Sequence, residues 1–136
     1  MYFDNNDDTK ALEYYQKAIK ADKSSSSGSA FAFNGIGKVY LKEGKHAQAL
    51  ENHEKALKIS QKTDDKLQIV RSLRGEGDVY ASLNDLAQAF NYYNKATAIA
   101  EALKANVELK DLYNSAAILY SKKGDFQSAF QYQKYS

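Results

Sequence analysis

Apolar residues at Phe33, Ile36, Val39 and Tyr40 fall at spacings of three, three and one, which places them on one face of a helix that Gly44 ends. A second set, Ala49, Leu50, His53, Ala56, Leu57 and Ile59, carries the helical period on to about Gln61. The positions between them are mostly polar, so the pattern predicts two amphipathic helices joined by a tight turn. The pattern then recurs. Gly37, Tyr40, Gly44, Ala49 and Ala56 reappear as Gly77, Tyr80, Asn84, Ala89 and Ala96, each 40 residues later. Ala117, Tyr120, Gly124 and Ala129 follow another 40 on, and Tyr2, Asn6, Ala11 and Ala18 form an earlier copy offset by 38. A fixed period of this size predicts a stack of similar units, each touching mainly its neighbours.

Turn chemistry agrees with the apolar period. The turn positions are Asn6, Gly44, Asn84 and Gly124, and glycine and asparagine tolerate the left-handed conformation that follows a helix. The next residue is Asp7, Lys45, Asp85 or Asp125; the three aspartates read as N-caps, each worth about 1 kcal/mol. Alanines at 11, 49, 89 and 129, and again at 18, 56 and 96, let the two backbones of a hairpin approach closely. Tyr15, Tyr40, Tyr80, Phe90, Tyr93, Tyr120 and Phe130 fall on the apolar faces and read as core. Two features break the pattern. Gly35 and Gly75 each stand two residues before a packing glycine, at a cost of about 1 kcal/mol relative to alanine, so either a ligand or a neighbouring repeat must come close there. Glu76 occupies the place of Ile36, and its carboxylate must be paired, shifted in pKa or tilted out to water; a partner-seeking or exposed side chain is expected rather than a catalytic acid.

Composition narrows the function classes. With 43% hydrophobic and 26% charged residues, the 136-residue chain is ordinary for one globular domain. It has no apolar run near the roughly 20 residues that span a bilayer, and MYFDNNDD has neither a basic region nor an apolar stretch, so a cytoplasmic protein without membrane contact is expected. A net charge of +2 is too small to suggest nucleic acid. The absence of cysteine removes disulfides and thiolate metal sites, and the absence of proline lets helices run unbroken. His46 and His53, seven apart, lack the further ligands a metal needs. Asp4, Asn6 and Asp8 begin like a calcium loop, but Thr9 and Tyr15 stand where glycine and glutamate belong. Gly35-Ile36-Gly37 and Gly75-Glu76-Gly77 lack the third glycine and preceding strand of a nucleotide loop. No catalytic, cofactor-binding or metal-binding residue is therefore expected, and the chain does not read as an enzyme. Ser24–Ser29, SSSSGS, reads as a flexible loop between repeats.

These residues together resemble the tetratricopeptide repeat, with signature W-x2-L-G-x2-Y, then A-x3-F, a small residue and a closing proline. Phe33 to Tyr40 reads F-x2-I-G-x2-Y, followed by Ala49, His53 and Ala56; the next copy supplies Leu73, Gly77, Tyr80, Ala89, Tyr93 and Ala96. The proline's place is taken by Lys23, Gln61 and Glu101, and the period exceeds the usual 34 or so, so the second helix is expected to run on by a turn or more. The resemblance implies an all-α, right-handed α-solenoid of antiparallel helix hairpins, forming one domain over 1–136. Its units are a partial repeat 1–28, repeats 29–68 and 69–108, and a partial repeat 109–136. Phe126, Phe130, Tyr132 and Tyr135 are expected to leave apolar surface uncovered, as in a piece of a longer protein or one that self-associates through its ends.

The resemblance also implies that the first helices line a concave groove that binds a peptide segment or partner helix. Position by position, that face holds Phe31, Asn34, Gly35, Lys38 and Lys42; then Arg71, Arg74, Gly75, Asp78 and Ser82; then Asp111, Asn114, Ser115 and Lys122. Five basic residues against two acidic ones point to a partner with an acidic segment, with Arg71 and Arg74 as carboxylate forks. The carboxylate-clamp pattern of chaperone-binding relatives is not matched. The implied role is a scaffold or adaptor; the alternative is a sensory module of the same fold that controls a separate output domain such as a kinase, cyclase, phosphatase or transcription regulator.

Overall fold

The computed structural model describes residues 5–21 and 26–134. Asp4, Tyr2, Lys23, Tyr135 and the first two serines of Ser24–Ser29 lie outside them. Within the described residues the chain forms seven α-helices and no strand: α1 (Asn5–Ala21), α2 (Ser27–Lys42), α3 (His46–Thr63), α4 (Lys66–Ser82), α5 (Leu86–Leu103), α6 (Asn106–Lys123) and α7 (Phe126–Gln133). Consecutive helices pack in antiparallel hairpins, α2 with α3, α4 with α5 and α6 with α7, to form an all-α solenoid. The first helices of successive hairpins also touch, α2 with α4 and α4 with α6, whereas no two second helices do. A stack whose first helices are crowded and whose second helices are splayed curves toward the first helices. Hence α2, α4 and α6 form the concave side.

Local chemistry sets the turns. Gly44, Asn84 and Gly124 are left-handed, at φ 78°, 62° and 89°. In each turn the tyrosine of the repeat supplies the closing carbonyl: Tyr40, Tyr80 and Tyr120 accept from the N–H groups of Lys45, Asp85 and Asp125 at 2.8, 2.9 and 2.9 Å. Asp85 and Asp125 cap the next helix by accepting from Gln88 N and Ser128 N. The first copy departs from expectation, because α1 opens at Asn5 and takes in Asn6 and Asp7. Asp7 therefore stands in the first turn, where its charge meets the positive end of the helix dipole.

The second helices α3 and α5 both run 18 residues, which accommodates the long period. They end at Asp64 and Lys104, held left-handed at φ 54° and 55°. The serine-rich stretch is shorter as a loop than its composition suggests, since Ser26 caps α2 and accepts from Ser29 N at 3.4 Å. Ser27–Ser29 are then helical, and Ser29 is buried.

Alanines make the close approaches: Ala49, Ala56, Ala89, Ala96 and Ala100 are fully buried. Ala89, Ala96 and Ala100 join Val70, Leu73, Tyr93, Leu112 and Leu119 in a core that runs between hairpins as well as within them. Phe130 is the exception among the aromatics expected inside, at 62% exposed. Its counterpart Phe90 is covered by Tyr120 of the next first helix, with ring centroids 4.6 Å apart, and no described helix covers Phe130 in that way.

Candidate functional site

The glycines at 35 and 75 are explained by neighbouring repeats. A Cβ on Gly35 would lie 2.3 Å from the Tyr15 ring, and one on Gly75 would lie 2.3 Å from the His53 ring. Tyr15, His53 and Tyr93 hold equivalent positions on α1, α3 and α5, and each ring plugs the junction to the next first helix. Gly37 leaves room for the other side of His53, with a Cβ placed 2.6 Å from Nε2. At the third junction the first helix carries Ser115, which hydrogen-bonds the Tyr93 hydroxyl.

A buried polar network fixes the His53 plug. Asn34 Nδ2 donates to Gln68 Oε1 at 3.1 Å and to Ser72 Oγ at 3.0 Å, which leaves Asn34 Oδ1 to accept from His53 Nδ1–H at 2.9 Å. His53 Nδ1 therefore carries a proton, and burial favours the neutral ring. Burial, assisted by the positive charge of Lys38, pulls its pKa down to about 4. At the next junction the Tyr93 hydroxyl donates to Asp78 Oδ1. Burial and the adjacent carboxylate push the Tyr93 phenol up, and burial also raises Asp78.

On the concave side Tyr15, Phe31, Asn34, Gly35 and Lys38 meet Gln68, Arg71, Arg74, Glu108 and Asp111 around a pocket of about 330 Å³. Two ion pairs bridge α4 and α6: Arg71 Nη2 to Glu108 Oε2 and Arg74 Nη1 to Asp111 Oδ2, both at 3.3 Å. Both pairs are 37 residues apart in sequence, so they form parallel rungs one helical turn apart. Lys38 faces these arginines from α2, and its pKa is lowered by burial first, then by Arg74 and Arg71. Asp78 and Asp111 partly offset this from a distance, but among the described residues no carboxylate lies within salt-bridge distance of Lys38. Tyr15 and Phe31 supply an aromatic wall, edge to face at 6.0 Å.

The pocket gathers seven of the fourteen expected groove positions: Phe31, Asn34, Gly35, Lys38, Arg71, Arg74 and Asp111, the last paired with Arg74. The others lie elsewhere. Lys42 closes α2 and pairs with Asp8 of α1 at 3.2 Å. Asp78 is engaged by Tyr93, and Asn114 and Lys122 are exposed on α6 outside the pocket. Asn34 reaches the pocket only by its edge, because its amide is 4% exposed and already committed to the His53 network. Tyr15, Gln68 and Glu108 enter although concave-face positions did not include them. Glu108 was findable, since it stands to Arg71 as Asp111 stands to Arg74.

Of the alternatives expected for Glu76, the structure takes pairing and a shifted pKa, not exposure. The residue is 3% exposed rather than turned to water. Burial pushes its carboxyl up to about 7; the Tyr92 hydroxyl, which hydrogen-bonds it, and Lys95 oppose the rise, while Glu54 adds to it. Tyr92 stands where the preceding repeat has Asn52, so the buried acid and its phenol partner are a paired change. Among the described residues no three His, Cys, Asp or Glu side chains form a group that could hold a metal, and no helix is long and apolar enough to cross a membrane.

The tetratricopeptide repeat profile matches residues 28–102, and a second tetratricopeptide repeat profile matches residues 1–25. No curated protein sequence matches the chain. Among solved structures, BtubC (BKLC) from P. vanneervenii superposes with a TM-score of 0.79 at 23% identity, over 93% of this chain and 54% of its own. The chain thus spans about half the length of that protein, and at this identity the likeness concerns the fold. MamA aligns over 99% of this chain and 94% of its own at 20% identity, with a TM-score of 0.38.

Proposed function

Because the chain belongs to the tetratricopeptide repeat family, we propose that it is a scaffold or adaptor whose concave pocket receives an extended segment of another protein. The observation that carries this reading is Lys38, a cation with no carboxylate at salt-bridge distance among the described residues, set beside the Tyr15–Phe31 wall in a pocket of about 330 Å³. A segment that places a carboxylate on Lys38 and an apolar side chain on Phe31 satisfies both. The reading sharpens the expectation of an acidic partner. Arg71 and Arg74 are already bridged to Glu108 and Asp111, so an incoming carboxylate meets Lys38 first and reaches the arginines only by exchange. The basic excess expected of the groove is reduced accordingly. The chain acts by binding, not by catalysis, and works in the cytoplasm.

Selection of a displayed peptide library on the protein tests this. Acidic segments should be enriched on the wild type and lost on Lys38→Glu, a better variant than Arg71→Glu or Arg74→Glu because it breaks no inter-repeat bridge. Enrichment that ignores Lys38→Glu would move binding away from the pocket. Self-association has its candidate surface in Phe126 and Phe130, 69% and 62% exposed one turn apart on α7. Sedimentation should show mass rising with concentration, and Phe126→Ser with Phe130→Ser should abolish the rise.

A further inference from the structure

Second helices do not touch one another, so each successive pair leaves a groove floored by the first helix between them. Three such grooves are in register and differ in how they are filled. The groove between α1 and α3 is a cavity of about 300 Å³ over Phe33, Ile36 and Tyr40, with Lys55 Nζ lying 5.6 Å from the centre of the Phe33 ring. Between α3 and α5, Tyr92 stacks on Tyr80 at 5.5 Å and 9°, beside the Glu76 carboxyl, and Lys95 Nζ lies 5.4 Å over the Tyr92 ring. A tyrosine, a carboxyl group and a lysine thus meet in this second groove, all from the chain itself.

The third groove, between α5 and α7, repeats this chemistry with one component missing. Tyr132 stacks on Tyr120 at 5.3 Å and 20°, as Tyr92 does on Tyr80. Ala116 stands where the earlier floors have Ile36 and Glu76, and the smaller side chain leaves a cavity of about 420 Å³ walled by Tyr93, Tyr113 and Tyr132. Its carboxylate comes from α5 instead, for Glu101 also lines the cavity and its Oε2 accepts from the Tyr113 hydroxyl at 3.2 Å. No lysine or arginine lines the cavity, and among the described residues Glu101 has no cationic partner. Lys55 and Lys95 recur 40 residues apart, and the residue 40 beyond Lys95 is Tyr135.

We propose that this groove is a second binding site, which takes the basic side chain of a protein partner. The guanidinium or ammonium group pairs with Glu101 and lies against the Tyr113 and Tyr132 rings, whose faces attract a cation while the carboxylate orients it. The site does not depend on the concave pocket, with which it shares no residue.

The test is an NMR titration of the full chain with N-acetyl-arginine methylamide and N-acetyl-lysine methylamide, alongside their uncharged isosteres built on citrulline and norleucine. The cationic probes should give saturable shifts at Tyr113, Ala116 and Tyr132 and leave Lys38 and Arg74 unmoved, while the isosteres give little response. Glu101→Gln keeps an acceptor for the Tyr113 hydroxyl, so its melting temperature should match the wild type while probe affinity falls about three- to tenfold. Equal shifts from the isosteres, undiminished affinity in Glu101→Gln, no saturable shift, or a response confined to the concave pocket would each overturn the proposal. Loss of acidic-peptide binding in Lys38→Glu would leave it untouched.

Discussion

The α2–α3 and α4–α5 hairpins share a backbone plan and differ in the polar groups they bury. Their helices are 16 and 18 residues in one and 17 and 18 in the other; both turn through a left-handed residue, and both bury the same pair of alanines. Yet the first sends a neutral imidazole into its junction, satisfied by Asn34, while the second sends a phenol, satisfied by Asp78. The first has Ile36 over the groove and the second has Glu76 with Tyr92. Small residues set the period, and each hairpin then solves its polar problem with a partner from its own other helix. Exchange of a single residue between repeats is therefore expected to fail where exchange of a matched pair succeeds.

The glycine at the His53 plug offers the sharpest break in that comparison. Gly75→Val should cost about 3 kcal/mol or more, because its Cβ would collide with the buried His53 ring, and thermal unfolding would show it. His53→Ala in the same chain should recover part of the loss, a coupling absent if the glycine serves only backbone geometry. Asn34→Leu comes next, at about 2 kcal/mol by denaturant unfolding, since it strands the His53 Nδ1–H donor and the Gln68 side chain.

The two hairpins should also respond oppositely to pH. His53, depressed in the fold from 6.5 to about 4, contributes stability present above pH 6.5 and lost as pH falls toward 4. Glu76, raised in the fold from 4.5 to about 7, contributes stability present below pH 4.5 and lost as pH rises toward 7. Glu76→Gln should remove the loss on the rising side, on the order of 1–2 kcal/mol, and His53→Gln the loss on the falling side; unchanged pH profiles in both would refute the burial of these groups. The smallest effect belongs to the concave rungs. Arg74→Gln should change stability by under about 1 kcal/mol, because its bridge to Asp111 is partly solvated.

How far these differences could be read in advance depends on their range in sequence. Helices, turns and the repeat were legible because each rests on residues within a turn or two of one another: the apolar period, glycine or asparagine at 44, 84 and 124, and aspartate at 85 and 125. The left-handed ends at Asp64 and Lys104 were not, since neither is a glycine or asparagine; they are closed by bonds from Asp65 N to Ser60 O and from Ala105 N to Ala100 O. Glycines 35 and 75 announced a close approach without saying to what. Seven of the ten residues around the candidate pocket were legible through the repeat register. Glu108 and Tyr15 were missed, because they reach the pocket from an extra turn or from the preceding second helix.

What the sequence determined by itself, then, is the unit and its repetition, for hydrophobic period and turn preference are local properties that recur with the chain. Only the packing of helices, within hairpins and between them, decided the rest: that His53 and Tyr15 fill the glycine notches, that Arg71 and Arg74 are bridged while Lys38 is not, and that Glu76 is buried against Tyr92. Burial and charge pairing are sums over neighbours that lie 12 to 40 residues away. They acquire values only when one helix is laid against the next.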